Sequence, residues 1–194
     1  MGISPELLVS RVQVNIPFAF LLEGYLSLFL ARGLNPEIGL DADSLSRQPP
    51  RTFRRIARAF QQAGRCITLH APFQDLAPGS LDDLVLGASR ARLRQAFRWL
   101  GVFRPAAVVC HLGYEARHYR WDLENWLNRC AATFRELAKL AAPLGVAVML
   151  ENVYETESEL FVEVISRAQA DNLQVCLDVG HLLAFGNGDF EGWL

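Results

Sequence analysis

Hydrophobic residues along the chain gather into short apolar runs that alternate with longer stretches of helical periodicity. Residues 12–18 form such a run, ending at Pro17, and residues 20–32 read as a strongly apolar helix closed by Gly33. The order then recurs: strand 36–40, helix 51–63 closed by Gly64, strand 66–70 running into Ala71-Pro72-Phe73, and helix 81–100. Ser80 is placed to cap that last helix, with Asp82 and Asp83 in the first turn, where the helix dipole favours carboxylates. Strand 106–110, helix 121–140, strand 146–150, helix 158–170 and strand 173–177 complete the series. Six strands alternating with five helices predict a parallel α/β sheet with helical crossovers, and the lack of polar alternation within the strands predicts cover on both faces. The first strand-to-helix turn, Asn15-Ile16-Pro17-Phe18, lacks G-x-G-x-x-G, so a (β/α)8 TIM barrel is favoured over a doubly wound dinucleotide-binding sheet.

Length and composition narrow this picture. The 194 residues suit a single domain spanning 1–194, and 51% hydrophobic against 21% charged residues excludes a disordered tail or an extended coiled coil. A complete barrel needs about 250 residues, so an incomplete one is expected, with about six of eight βα units present and strands seven and eight missing. Its open edges would favour self-association. Nineteen Lys and Arg against 21 Asp and Glu give a net charge of −2 with no basic block, which disfavours nucleic acid as a partner. Arg51, Arg54, Arg55 and Arg58 have the spacing of a solvated helix face. Lys139 is the only lysine and no P-loop pattern occurs, which removes most lysine-based chemistry.

Cys66, Cys110, Cys130 and Cys176 form no C-x-x-C pair and read as free core thiols, with Cys66 and Cys176 assigned to the core. The most apolar stretch, residues 16–34, is interrupted by Glu23 and Gly24, so no membrane span is expected. No signal peptide is recognisable, and a cytoplasmic protein is expected.

The chemistry gathers at the carboxyl ends of the predicted strands, where barrel active sites lie. His70 ends the third strand, His111 the fourth, Glu151 with Asn152 the fifth, and Asp178 the sixth, with His181 three residues on. Each has a structural alternative: His70 as a turn cap, Glu151 as an arginine partner, Asp178 as a helix N-cap. Their convergence would bury several titratable groups that need partners, and a divalent metal supplies one. Zinc, manganese and iron all accept imidazole and carboxylate ligands. His118, Tyr119 and Trp121 are expected to cover the following helix, and Asp41, sharing strand parity with Glu37, stays open between rim and turn.

Leu69-His70-Ala71-Pro72-Phe73, Cys110-His111-Leu112-Gly113, Leu150-Glu151-Asn152-Val153 and Leu177-Asp178-Val179-Gly180-His181 resemble the strand ends of the xylose isomerase-like TIM-barrel superfamily, closest to its endonuclease IV-like branch. The resemblance implies a first metal on His70, His111 and Glu151, a second on Glu151 and Asp178, and His181 at a third. Zinc is the first choice, with up to three ions in a complete barrel, and Glu151 and Asp178 are the catalytic candidates. The ligand histidine of a seventh strand, a following Asp-x-His element and the glutamate of an eighth strand are not present. Endonuclease IV-like hydrolysis of a small phosphorylated substrate by metal-activated water is the main expectation, because two histidines on successive strands exceed what a one-metal scheme needs; isomerisation or epimerisation of a sugar or sugar phosphate with one metal is the alternative, and an inactive fragment the second alternative.

Overall fold

The computed structural model describes residues 4–186, 188 and 190–193. After a short helix α1 (Pro5–Arg11), strand β1 (Gln13–Pro17) leads directly into α2 (Phe18–Phe20), a wide π-helical turn (Leu21–Tyr25) and α3 (Leu26–Arg32). The single helix expected over 20–32 is therefore interrupted, at Gly24, whose φ of 109° no ordinary side chain adopts cheaply. Then come β2 (Asn35–Gly39), α4 (Ala42–Arg47), α5 (Pro50–Gln62) and β3 (Thr68–His70). Next are α6 (Asp83–Phe97), α7 (Leu100–Phe103), β4 (Ala107–His111), α8 (Ala116–Tyr119) and α9 (Leu123–Ala141). The described chain continues through β5 (Ala147–Glu151), α10 (Glu159–Ala168), β6 (Leu173–Cys176) and α11 (Val179–Phe185).

All six strands run parallel in sequence order, each hydrogen-bonded to the next, so that β1 and β6 are the edges. This is the α/β arrangement of a partial TIM barrel. The register decides which residues meet. Gly39 pairs with His70, His70 with Val109, His111 with Glu151, and Glu151 with Cys176, which puts His70, His111 and Glu151 on one face.

The opposite face lies under the helices and holds the core: Ile38, Leu69, Cys110, Val148 and Leu150 are all fully buried. Beneath α5 the rings of Phe18, Phe53 and Trp99 stack in series, with centroids 4.4 and 4.2 Å apart. Cover is thus unequal, and the strands alternate between a tightly packed outer face and a more accessible inner one. An apolar sequence conceals this, because Ala107, Val109, Ala147 and Met149 share the inner face with the polar residues.

Two local assignments change. Asp82, not Ser80, caps α6, its carboxylate accepting from the Leu84 and Val85 amides, while the Ser80 hydroxyl accepts from Asp82 N–H one turn earlier. Cys66 is exposed and Cys176 half-buried, against the core positions expected for both, because Cys66 precedes β3 and Cys176 faces the inner side of an edge strand. Cys110 and Cys130 are buried. Among the described residues no helix is long and apolar enough to cross a membrane.

Candidate metal centre

β3, β4 and β5 each end on a functional side chain, and adjacent register brings those ends together. His70 Nε2 lies 3.2 Å from Glu151 Oε2 and 3.2 Å from His111 Nε2, and His111 Nε2 lies 3.6 Å from the same carboxylate oxygen. His181, on the first turn of α11, donates from Nδ1 to the Asn152 carbonyl at 2.9 Å, with the same nitrogen 3.3 Å from Glu151 Oε1 and 3.7 Å from Asp178 Oδ2, so its lone pair lies on Nε2. Two groups of three result, His70–His111–Glu151 and Glu151–Asp178–His181, each with ligand atoms within 4.8 Å of one another. All five expected residues therefore converge, and Glu151 belongs to both groups. His181, which the resemblance assigned to a third ion, stands here beside Glu151 and Asp178.

The chemistry of the donor set suits a cation. The carbonyl of Ala71, 2.9 Å from His70 Nδ1, can only accept, so that ring nitrogen carries the proton. Neutral His70 then aims a lone pair from Nε2 at Glu151 and at His111, and such crowding of acceptors around an 8%-exposed carboxylate calls for a proton or a metal between them. Without a metal, burial pushes the Glu151 carboxyl up, but hydrogen bonds from His111 and His70, with their charge, hold it well below the usual carboxylate range. Burial likewise lowers His70, and the bonds to Glu151 and the Ala71 carbonyl more than reverse this, raising it.

The supports are built from neighbouring backbone. Asn152, fully buried, clamps Asp178 from both sides: its Oδ1 accepts from Asp178 N–H at 2.6 Å and its Nδ2 donates to the Asp178 carbonyl at 3.1 Å. Asp178 also takes the N-cap role, Oδ1 accepting from His181 N–H at 2.7 Å, which leaves Oδ2 for the site. Gly113 follows His111 in a left-handed turn (φ 65°), where a Cβ would come within 2.8 Å of the Leu76 carbonyl. The Phe73 ring stands 5.3 Å from His70 and 4.5 Å from His111 and walls one side.

These residues open onto a cavity of about 630 Å³, the size of a small-molecule site. Its lining also includes Asn15, Glu37, Asp41 and Tyr154. Asp41 does serve the turn, capping α4 by accepting from Ser44 N–H and hydroxyl, yet still faces the cavity. Asn15 and Glu37 were not identified from sequence, because neither ends an apolar run; the usable signal was the strand parity shared by Glu37 and Asp41. Glu155 was also missed. It is a buried carboxyl that accepts from Val153 N–H at 2.8 Å and is pushed up by burial. Tyr119 packs on Trp126 of α9, as expected of a cover, whereas Trp121 is 73% exposed and neither it nor His118 lines the cavity.

Protein MJ1311 of Methanocaldococcus jannaschii is 28% identical over 127 residues, which cover 62% of this chain and 43% of that protein. The structure of TTHB071 from Thermus thermophilus, obtained with ZnCl2 soaking, superposes with a TM-score of 0.80 at 26% identity and covers 94% of this chain and 72% of its own. A D-tagatose 3-epimerase-like protein superposes at 0.72 with 19% identity, covering 88% and 66%. D-psicose and L-ribulose 3-epimerases share the fold at 14–19% identity. The match thus spans less than half of MJ1311 and just under two thirds of the epimerase-like chain. Residues 34–192 match the model of the xylose isomerase-like TIM barrel, and to that family the chain belongs.

Proposed function

We propose that the protein is a divalent-metal-dependent isomerase or epimerase of a sugar. The observation that carries this reading is the convergence of Glu151, Asp178 and His181, with His70 and His111 behind them, on a cavity of sugar size. The naming of fold relatives as ketose 3-epimerases supports it. Glu151, Asp178 and His181 would hold the ion, which supplies Lewis-acid polarisation of adjacent substrate oxygens. Glu151, kept ionised by its histidines, binds as an anion and is not a proton donor. His70 and His111 fix its orientation, and the Phe73 ring packs beside both histidines. A cytoplasmic setting suits the four unpaired cysteines.

A second reading rests on a specific observation. The His70–His111–Glu151 group could hold a further ion, Glu151 being common to both groups. Paired ions suit phosphoester hydrolysis, with zinc the natural metal for such ligands.

Incubation of the manganese-loaded chain with ketoses in deuterium oxide separates the two. Deuterium entering at the carbon beside the carbonyl, abolished in Glu151→Gln, is the expected result. Cleavage of a chromogenic phosphodiester without exchange would establish the hydrolase instead.

A further inference from the structure

On the strands preceding the histidines, the cavity carries a polar pair that the metal centre does not use. Asn15 on β1 and Glu37 on β2 are register partners, and Asn15 Nδ2 donates to Glu37 Oε1 at 2.8 Å. Glu37 stands beside Thr68 and shares the inner face with His70, close enough that its charge is felt at both His70 and Cys176. Among the described residues its second carboxylate oxygen and the Asn15 side-chain carbonyl have no hydrogen-bond partner, and both can accept from hydroxyl groups. Phe73 and Tyr154 add apolar surface to the same lining, suited to the C–H face of a sugar ring or chain.

The charge of the lining points the same way. Glu37, Asp41, Glu151 and Asp178 all face the cavity, and none of the described residues lining it is Lys or Arg. Phosphate recognition draws on guanidinium, ammonium or free helix N-termini. Of the helix starts at the rim, those of α4 and α11 already carry the carboxylates of Asp41 and Asp178, while the one-turn α2 after Pro17 has no side-chain cap. Beyond the carboxylates assigned to the metal, a phosphate dianion would meet those of Glu37 and Asp41, whereas hydroxyl groups would meet acceptors.

Resting on the sugar reading above, we infer that the substrate is an uncharged polyhydroxy sugar, not a sugar phosphate, and that Asn15 and Glu37 form its hydroxyl-recognition subsite.

The test is calorimetric binding of D-fructose and of its 6-phosphate to the manganese-loaded chain, to Glu37→Gln and to Asn15→Ala. Metal content and far-UV circular dichroism are recorded for each. Gln keeps the length of Glu37 and the acceptor for Asn15, so folding and metal content are expected to hold. Fructose is expected to bind about tenfold more tightly than its phosphate, and Glu37→Gln to weaken fructose about tenfold while narrowing that preference. Equal or tighter binding of the phosphate overturns the inference and leaves the sugar reading standing. Unchanged fructose affinity in both variants overturns the subsite. Binding of neither sugar to a metal-loaded, folded chain overturns the sugar reading itself.

Discussion

His70 donates its Nδ1 proton to the Ala71 carbonyl in a hydrogen bond and faces Glu151 with Nε2, and this arrangement has a pH signature in the metal-free protein. Glu151 is held below its ordinary range, so its contribution is present above about pH 4.3 and is lost as pH falls through the lower folded value. His70 is raised, so its contribution is complete below about pH 6.5 and is lost as pH rises through the folded value. Both act together between these limits. With chelator present, the stability of the wild type over His70→Gln is expected to be largest in that window, at about 1–2 kcal/mol, and to shrink on either side. Denaturant unfolding from about pH 3.5 to about 8.5, a range that brackets both ordinary values, measures it, and a difference that ignores pH would contradict the pairing.

At the scale of elements, the strand ends are tied to one another by side chains that reach across backbone, and Asn152 is the clearest case. Replacing it by Ala strands the N–H and carbonyl of Asp178 and loosens the start of α11. Asn152→Ala is expected to cost about 2 kcal/mol in urea unfolding and to weaken metal retention through Asp178 and His181. A loss under about 0.5 kcal/mol would show that the clamp is unimportant. The long elements were legible in sequence because each strand is a short apolar run and the helical stretches before β2, β3 and β5 close on Gly33, Gly64 and Pro143-Leu144-Gly145. The short ones were not. α1, α4 and α8 are fixed by single capping side chains, Ser4, Asp41 and Glu115, which compete in a sequence with every other turn signal. The five rim residues were visible because strand ends mark the barrel mouth, while Asn15 and Glu37 needed the register of β1 against β2.

Taken as a whole, the molecule separates stability from chemistry along the sheet. The helix-covered face is built from residues such as Phe53, Phe60, Phe103 and Phe134 with no exposed surface, while the inner face carries the polar side chains. Exposed apolar residues occur on the edge strands themselves, Val14 on β1 and Val175 on β6, where only one strand neighbour is present. Such division lets the rim accumulate mutually repulsive acceptors, because packing elsewhere holds them in place. Elemental mass spectrometry of the chain dialysed against zinc or manganese tests whether that rim is a cation site, without reference to any substrate. At least one ion per chain in the wild type, lost in Glu151→Gln because both ligand groups share that carboxylate, is the predicted result. A folded wild-type chain that retains no ion, or a Glu151→Gln chain that retains as much as the wild type, would contradict it.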